Sequence, residues 1–233
     1  SILTTFGILF SILFEAIEFF KLRSFWYFLT GTTWSPGVIG SQFGALPIFA
    51  GTFVITIIAL GVAIPVGLGS AIYMSEYASP KLRDYLKPLL EVLAGIPSVV
   101  YGFFAAITVA PLVVKAAESV GLEATFNSAL ASGIVMGIMI IPTISSLSDD
   151  VIRSVPDSQR KAAFGLGMTH GETIKDIVLP SAMPGIISAS LLALSKALGE
   201  TMVVVMAAGL RPNLSWNPLD DMTTVTVTIV NSL

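Results

Sequence analysis

Residues 154–180, SVPDSQRKAAFGLGMTHGETIKDIVLP, form a charged, soluble-looking island between two long apolar stretches. Local chemistry predicts a helix–turn–helix here. Ser154 stands where it can cap a first helix, and Pro156 near the first helical position lacks only an N–H that has no intrahelical partner. Gly167 is the predicted stop, because glycine accepts the left-handed backbone that ends helices. Thr169-His170-Gly171-Glu172 reads as a capping box, with the threonine hydroxyl on the N3 amide and Glu172 reaching back. Ile174, Ile177 and Val178 share one face of the second helix, and Pro180 is expected to close it by disfavouring helical backbone at Leu179. The pair is expected to stand outside the membrane as a surface on which something can push.

Composition sets the class. Of 233 residues, 54% are hydrophobic and 12% charged, and the mean hydropathy is +0.87. A soluble domain runs at about 25% charged, so the chain reads as an all-α integral membrane protein. The net charge of −3 is small and spread out, which argues against a nucleic-acid partner. Cysteine is absent, which excludes disulfides and thiolate metal sites. The one histidine, His170, has no neighbouring metal ligand and reads as a solvated or docking residue.

Crossing the hydrocarbon core takes about 20 apolar residues. Five stretches answer to this: Ile2 to Phe20, Leu46 to Tyr73, Leu89 to Val114, Ala129 to Leu147 and Met183 to Leu210. The first begins inside its apolar run with no charged leader before it and is expected to be trimmed. Thr223 to Leu233 is apolar but would reach only about 16 Å as a helix; it reads as a segment near the outer surface. Lys81, Arg83, Lys87, Arg153, Arg160, Lys161 and Lys175 fall on one side of these spans, and Lys21, Arg23, Lys115 and Arg211 on the other. This bias puts the 154–180 island in the cytoplasm, with Trp26, Tyr27 and Trp34 in an outer interfacial belt. The spans are rich in glycine and proline (Pro65, Gly67, Gly69, Gly95, Pro97, Gly102, Pro111, Gly133, Gly137, Pro142), which serve bending and close helix approach. Gly133-x-x-x-Gly137 is the clearest packing motif. No linker or repeat divides the chain, which reads as one transmembrane domain, residues 1–233, with a loop at about 150–182.

Gly165-x-Gly167 with Gly171 is part of a dinucleotide-loop pattern, but no strand precedes it and no acidic residue follows at the right distance. The chain holds no Gly-x-x-x-x-Gly-Lys-Ser/Thr loop, no Ser/His/Asp arrangement and no His-Glu-x-x-His pair. It reads as a non-enzyme whose driving energy arrives from a partner. The island resembles the EAA loop of ABC importer permeases, whose pattern is Glu-Ala-Ala, three residues, Gly, nine residues, Ile-x-Leu-Pro. Ala162, Ala163, Gly167, Ile177, Leu179 and Pro180 match at the right intervals, and Lys161 departs where the family usually has glutamate. The resemblance implies that the helix pair inserts into a groove of a cytoplasmic ATPase, with Lys161, Ala162, Ala163, Gly167, Thr169, Glu172, Ile177, Leu179 and Pro180 as the coupling residues. The Lys161 departure bears on a salt bridge to the ATPase, not on the helix geometry.

Lys196-Ala197-Leu198-Gly199-Glu200-Thr201-Met202 places two ionisable residues inside the fifth span, where charge is costly and marks a pathway or a partner. At i and i+4 they would share a helical face, with lysine first, the weaker order for a bridge. They read either as a buried pair steadying the bundle or as part of an anion route, with Lys196 supplying charge, Glu200 positioning or gating and Thr201 adding a hydroxyl. Candidate donors elsewhere along such a route are Ser98, Tyr101, Thr143 and Ser145, since a desolvated anion needs hydrogen bonds at each step.

Leu93-Ala94-Gly95-Ile96-Pro97-Ser98-Val99-Val100-Tyr101-Gly102-Phe103 and Ala197-Leu198-Gly199-Glu200-Thr201-Met202 look like the third- and fifth-span signatures of phosphate importer permeases of the PstC type. Phe25-Trp26-Tyr27-Phe28-Leu29, Trp34-Ser35-Pro36, Phe43-Gly44-Ala45-Leu46-Pro47 and Ser75-Glu76-Tyr77-Ala78 extend the resemblance over nearly the whole chain. It implies a type I ABC importer permease, a MetI-like helical bundle in the plasma (inner) membrane. The implied partners are a homologous permease of the PstA type, two ATPase subunits holding ATP and magnesium, an extracytoplasmic phosphate-binding protein and membrane lipid; the chain itself is expected to carry no cofactor. Two departures stand out. Lys196 replaces a common arginine, whose fork grips phosphate bidentately as an ammonium cannot. The family's sixth span is missing, so the chain is expected to be trimmed at its C-terminus. Physics alone leaves open another oxyanion or small solute as cargo, and a gradient-driven secondary carrier as a different class.

Overall fold

The computed structural model describes residues 2–37 and 41–232. It is a helical bundle in which, among the described residues, five helices are long and apolar enough to cross a membrane, Leu3–Leu22, Leu46–Tyr77, Ser98–Ser119, Ala129–Arg153 and His170–Leu198. In element order these are α1 (Ile2–Leu22); α3 (Leu46–Ile72), prolonged by a π turn at Tyr73–Tyr77; α5 (Ser98–Phe104), a π turn at Ala105–Val109 and α6 (Ala110–Ser119); α7 (Ala129–Arg153); and α9 (His170–Thr173), a π turn at Ile174–Val178 and α10 (Leu179–Leu198). Between them lie α2 (Phe25–Thr30), the short antiparallel pair β1 (Trp34–Ser35) and β2 (Gln42–Phe43), α4 (Pro80–Ala94), α8 (Asp157–Gly165), α11 (Met202–Ala207) and α12 (Val225–Asn231).

The number of spans agrees with the sequence reading, and the largest differences in their bounds fall at the third and the fifth. The expected third span, Leu89 to Val114, is divided: α4 ends at Ala94, Gly95 caps it, and α5 starts only after Pro97. The Gly95-Ile96-Pro97 break follows from proline, which disfavours helical backbone at the residue before it and has no N–H to give. The fifth span begins at His170 and ends at Leu198, not at Met183 and Leu210. Pro180 therefore does not close the second loop helix. In the turn before it the Leu179 N–H donates to Ile174 O, five residues back, and the helix runs on through Pro180. Pro111 is passed in the same way, two residues after a π turn closed by Ala110 N–H on Ala105 O. Ser154 also departs from expectation. It caps the C-terminus of α7, its hydroxyl donates to Val151 O (2.7 Å), and α8 begins at Asp157 with Pro156 in the cap position.

The core is centred on α3 against α7, the most extensively packed pair, with α10 and α11 closing on α7. Ile55, Ala59 and Ala63 of α3 meet Val135, Met136, Ile140 and Ile144 of α7 in one buried cluster. The approach is close because α7 presents glycine: a Cβ on Gly137 would lie 2.8 Å from the Ala59 carbonyl oxygen, and one on Gly133 2.7 Å from Ile58. The Gly133-x-x-x-Gly137 motif is thus a packing seam, the use of small residues that lets membrane helices touch.

At one end of the bundle Phe19, Phe20, Phe28, Trp34 and Phe43 form an edge-to-face aromatic cluster over the β1–β2 pair. Trp26 is 72% exposed beside it. Met222 and α12 pack at this end, with Val225 N–H on the Thr52 hydroxyl (3.1 Å), so the 223–232 segment is a short helix and not a span; Leu233 lies outside the described residues. The opposite end carries α4, α8 and the start of α9, and with them most of the charge.

Gly137→Ala should lower the thermal unfolding midpoint in detergent by the equivalent of about 1–3 kcal/mol of overpacking, because backbone stands in the way. Gly61→Ala in α3, where a Cβ meets nothing within 4 Å, should leave the midpoint unchanged or raise it. Equal midpoints for the two variants would contradict the seam.

Candidate functional site

The helix pair forms as its local sequence dictates. α8 ends with Leu166 N–H on Ala162 O and Met168 N–H on Ala163 O, and Gly167 sits at φ +84°, where a side chain would be strained. α9 opens on the predicted capping box: Thr169 Oγ1 accepts from the Glu172 N–H (3.4 Å) and Glu172 Oε2 accepts from the Thr169 N–H (2.7 Å). Ala163, Ile174 and Val178 are buried, whereas Lys161, Ala162, Gly167, Thr169, Glu172 and Pro180 are exposed and Ile177 and Leu179 half-buried. The tip between the helices is apolar and bare. Leu166 is 85% exposed and Phe164 47%.

Behind this tip lie charged groups that sequence spacing did not single out. The Asp149 side chain is fully buried in the last turns of α7, where the helix dipole disfavours a carboxylate. Arg83 of α4 answers it in fork geometry, Nη2 to Oδ2 at 2.6 Å and Nε to Oδ1 at 3.4 Å, and Lys87 one turn on pairs with Asp150. Hydrogen bonding to Asp149 raises the Arg83 pKa above the ordinary arginine value, over the opposing effect of partial burial. Removing one partner of such a buried pair costs about 3–5 kcal/mol. A second pair joins Arg160 of α8 to Glu76 in the π turn that ends α3. Nη1 lies 2.6 Å from both carboxylate oxygens, and Nη2 donates to Ile152 O at 3.0 Å. His170 is not simply solvated: its ring stands edge-on to Tyr77 (5.2 Å), is stacked against Phe164 (6.3 Å), and Nε2 lies 4.0 Å from Glu76 Oε2. A cavity of about 500 Å³ opens beside these pairs, lined among others by Ser75, Arg83, Asp84, Arg153, Asp157 and Arg160.

The residues expected along an anion route are spread over α5, α7 and α10 and the break after it. Ser98 is half-buried at the start of α5, and Tyr101 Oη donates to Leu93 O (3.0 Å), bridging the Gly95–Pro97 break. Thr143 is half-buried in α7; Ser145 is fully buried, and its hydroxyl has no hydrogen-bond partner. Lys196 is half-buried in the last turn of α10, a favourable place for a cation, and makes no ion pair among the described residues. It does not share a helix with Glu200. α10 ends at Leu198, and the Glu200 carboxylate accepts from the Met202 and Val203 N–H groups (3.1 and 3.4 Å), capping α11. Thr201 lies in the break, and Thr226 Oγ1 donates to Glu200 O (2.9 Å), tying in α12. The i, i+4 reading failed because Gly199 ends the helix between the two residues. No side-chain hydrogen bond or ion pair among the described residues joins any of these seven groups to another, and no three His, Cys, Asp or Glu side chains assemble as a metal-ligand set.

Comparison with known proteins assigns this arrangement to a family. Residues 63–217 match the family model described as "Binding-protein-dependent transport system inner membrane component". The chain is similar to the "Probable ABC transporter permease protein YqgH" of Bacillus subtilis, 37% identical over 87% of this chain and 64% of that protein. It is similar to the "Phosphate transport system permease protein PstC 1" of Mycobacterium tuberculosis, 34% identical over 94% of this chain and 73% of the relative. The PstC of Mesorhizobium japonicum is 35% identical over 88% and 66%. The chain thus spans about two thirds of the length of these relatives. Its fold is shared with a chain of the inward-facing MetNI methionine ABC transporter, with a TM-score of 0.51 at 18% identity over 69% of this chain and 73% of that one. The chain belongs to the family of binding-protein-dependent transport inner-membrane components, and within it to the PstC-type permeases.

Proposed function

We propose that this chain is the transmembrane permease subunit of an ATP-driven importer of inorganic phosphate, forming half of the translocation path. The cargo reading is supported by the PstC relatives, which align along almost the whole chain. One structural observation carries the coupling reading. The helix that begins at the capping box of the exposed loop, His170, is the same helix that reaches Lys196 in the bundle. Its 29 residues form a rod of about 43 Å, so a push on the loop is a push on the fifth span.

On this reading the 154–180 loop faces the cytoplasm and its bare Phe164–Leu166 tip enters a groove on an ATPase subunit, with Lys161, Ala162, Thr169 and Glu172 around it. Two such ATPases hold ATP and magnesium, a PstA-type permease completes the path, and an extracytoplasmic binding protein delivers phosphate. Closure of the ATPases rocks the spans between outward- and inward-open arrangements. Lys196 offers the charge that meets phosphate in passage, and Ser98, Tyr101, Thr143 and Ser145 offer hydroxyls as the helices shift. Neutral hydroxyls make weak sites, which suits release better than capture. Glu200 and Thr201 act at the mouth of this route by holding the α10–α11 break.

The complex reconstituted in liposomes should take up labelled phosphate only with ATP inside the compartment that exposes the loop, and excess molybdate or sulfate should not compete. Lys196→Met should cut uptake about tenfold or more while the ATPases stay bound. Wild-type uptake in that variant would remove Lys196 from the path, and competition by molybdate would overturn the cargo. In a separate arm, Gly167→Leu should abolish co-purification of the ATPase, since the φ of +84° is strained for leucine. Full recovery of the ATPase with that variant would contradict the docking surface.

A further inference from the structure

The geometry points to Arg160 and Glu76 as a positioning pair that makes the coupling helix α8 move as one body with the second and fourth spans; this rests on the reading of the loop as the part driven by an ATPase. A loop helix joined to the bundle only through its ends would absorb a push by bending. α8 has only nine residues and a single buried side chain, Ala163, so packing alone holds it weakly. One guanidinium makes up the difference. Arg160 reaches both oxygens of Glu76 at 2.6 Å and the Ile152 carbonyl at 3.0 Å, with Asp157 of its own helix 3.8 Å from Nε. Glu76 is carried by the π turn that prolongs α3, and Ile152 by the last turn of α7. A single rigid fork thus holds α8 against the ends of both helices of the central pair.

The burial is what gives the contact stiffness. The Glu76 side chain is 4% exposed and that of Arg160 18%, so solvent cannot readily take over either charge. Nη1 meets both Glu76 oxygens while Nη2 of the same rigid plane takes the Ile152 carbonyl, so one side chain fixes both links at once, which a lysine at residue 160 would not do. The neighbouring cavity is not an anion site by the same accounting. Arg83 and Arg160 are neutralised by Asp149 and Glu76, and the remaining Arg153 shares the lining with two carboxylates, Asp84 and Asp157. The fifth span needs no such pair, because it is continuous with α9. Together these links tie the loop to three spans.

The chain has no cysteine of its own, so spin labels can be placed at S158C in α8 and I57C in α3 of the assembled complex. The label distance should be narrow and unchanged by nucleotide in the otherwise unmutated complex. With Glu76→Gln it should broaden and become nucleotide-dependent. In liposomes the same variant should lose about tenfold in phosphate moved per ATP, the size of an ordinary coupling free energy, while ATP hydrolysis stays within about threefold. The exchanged pair, Glu76→Arg with Arg160→Glu, should recover part of the ratio. Unchanged uptake per ATP in Glu76→Gln would overturn the proposal, as would equal losses of uptake and hydrolysis, which would make the pair a brace for folding only. The label distance is read without cargo, so a wrong cargo would show instead as absent phosphate uptake in the unmutated complex.

Discussion

Backbone groups inside a bilayer have no water to bond, and this constraint explains how the loop and the bundle come to be one mechanical object. A proline within a helix removes an N–H and crowds the carbonyl four residues back. Pro111 and Pro180 are both passed by the same device, a π turn closing two residues earlier, with a five-residue hydrogen bond from Ala110 to Ala105 and from Leu179 to Ile174. The helix therefore survives where an α-helical rule would end it. At Pro180 the wider turn keeps the loop helix and the fifth span in a single rod. π turns of this kind are found mainly where function needs irregular helix geometry.

Charge is handled with equal economy. Asp149 and Glu76 sit at the ends of α7 and α3 with almost no exposure, and each takes one arginine from a neighbouring element. Such pairs add little net stability over apolar packing, yet breaking one is costly, so they specify which helices stay together. Both pairs here join the long helices to the short ones at the charged end. The α3–α7 seam, held by contact at Gly137 and Gly133, gives those pairs a rigid base. At the other end the order is looser: α10 stops at Leu198, and Glu200 caps the next helix instead of pairing with Lys196.

What the sequence disclosed and what it concealed follow from the range of the interactions. The Gly167 turn, the Thr169–Glu172 capping box and the Gly133–Gly137 seam depend on residues a few positions apart, and all are found as spacing predicted. Five spans were legible from hydropathy because bilayer thickness fixes their length. Boundaries were less so. Apolar composition runs through the Gly95–Pro97 break and past Gly199, whereas the helices do not. The rule applied at Leu179 assumed α geometry and missed the π turn. Glu76 and Arg160 are 84 positions apart and Arg83 and Asp149 66, so nothing local announces them. Ser145, proposed for the route as a polar group in an apolar helix, is buried with its hydroxyl unpartnered, a feature of the packing around it that its sequence neighbours do not announce.

The proposed coupling requires the Phe164–Leu166 tip to lie on the cytoplasmic side, with an ATPase over it. Labelling of a single cysteine, L166C, with a membrane-impermeant maleimide tests this directly, since the chain contributes no other thiol. The label should react in inverted membrane vesicles stripped of the ATPase, be blocked when the ATPase is added back, and fail to react in intact cells. Reaction from outside intact cells, or reaction in inverted vesicles undiminished by the ATPase, would contradict it.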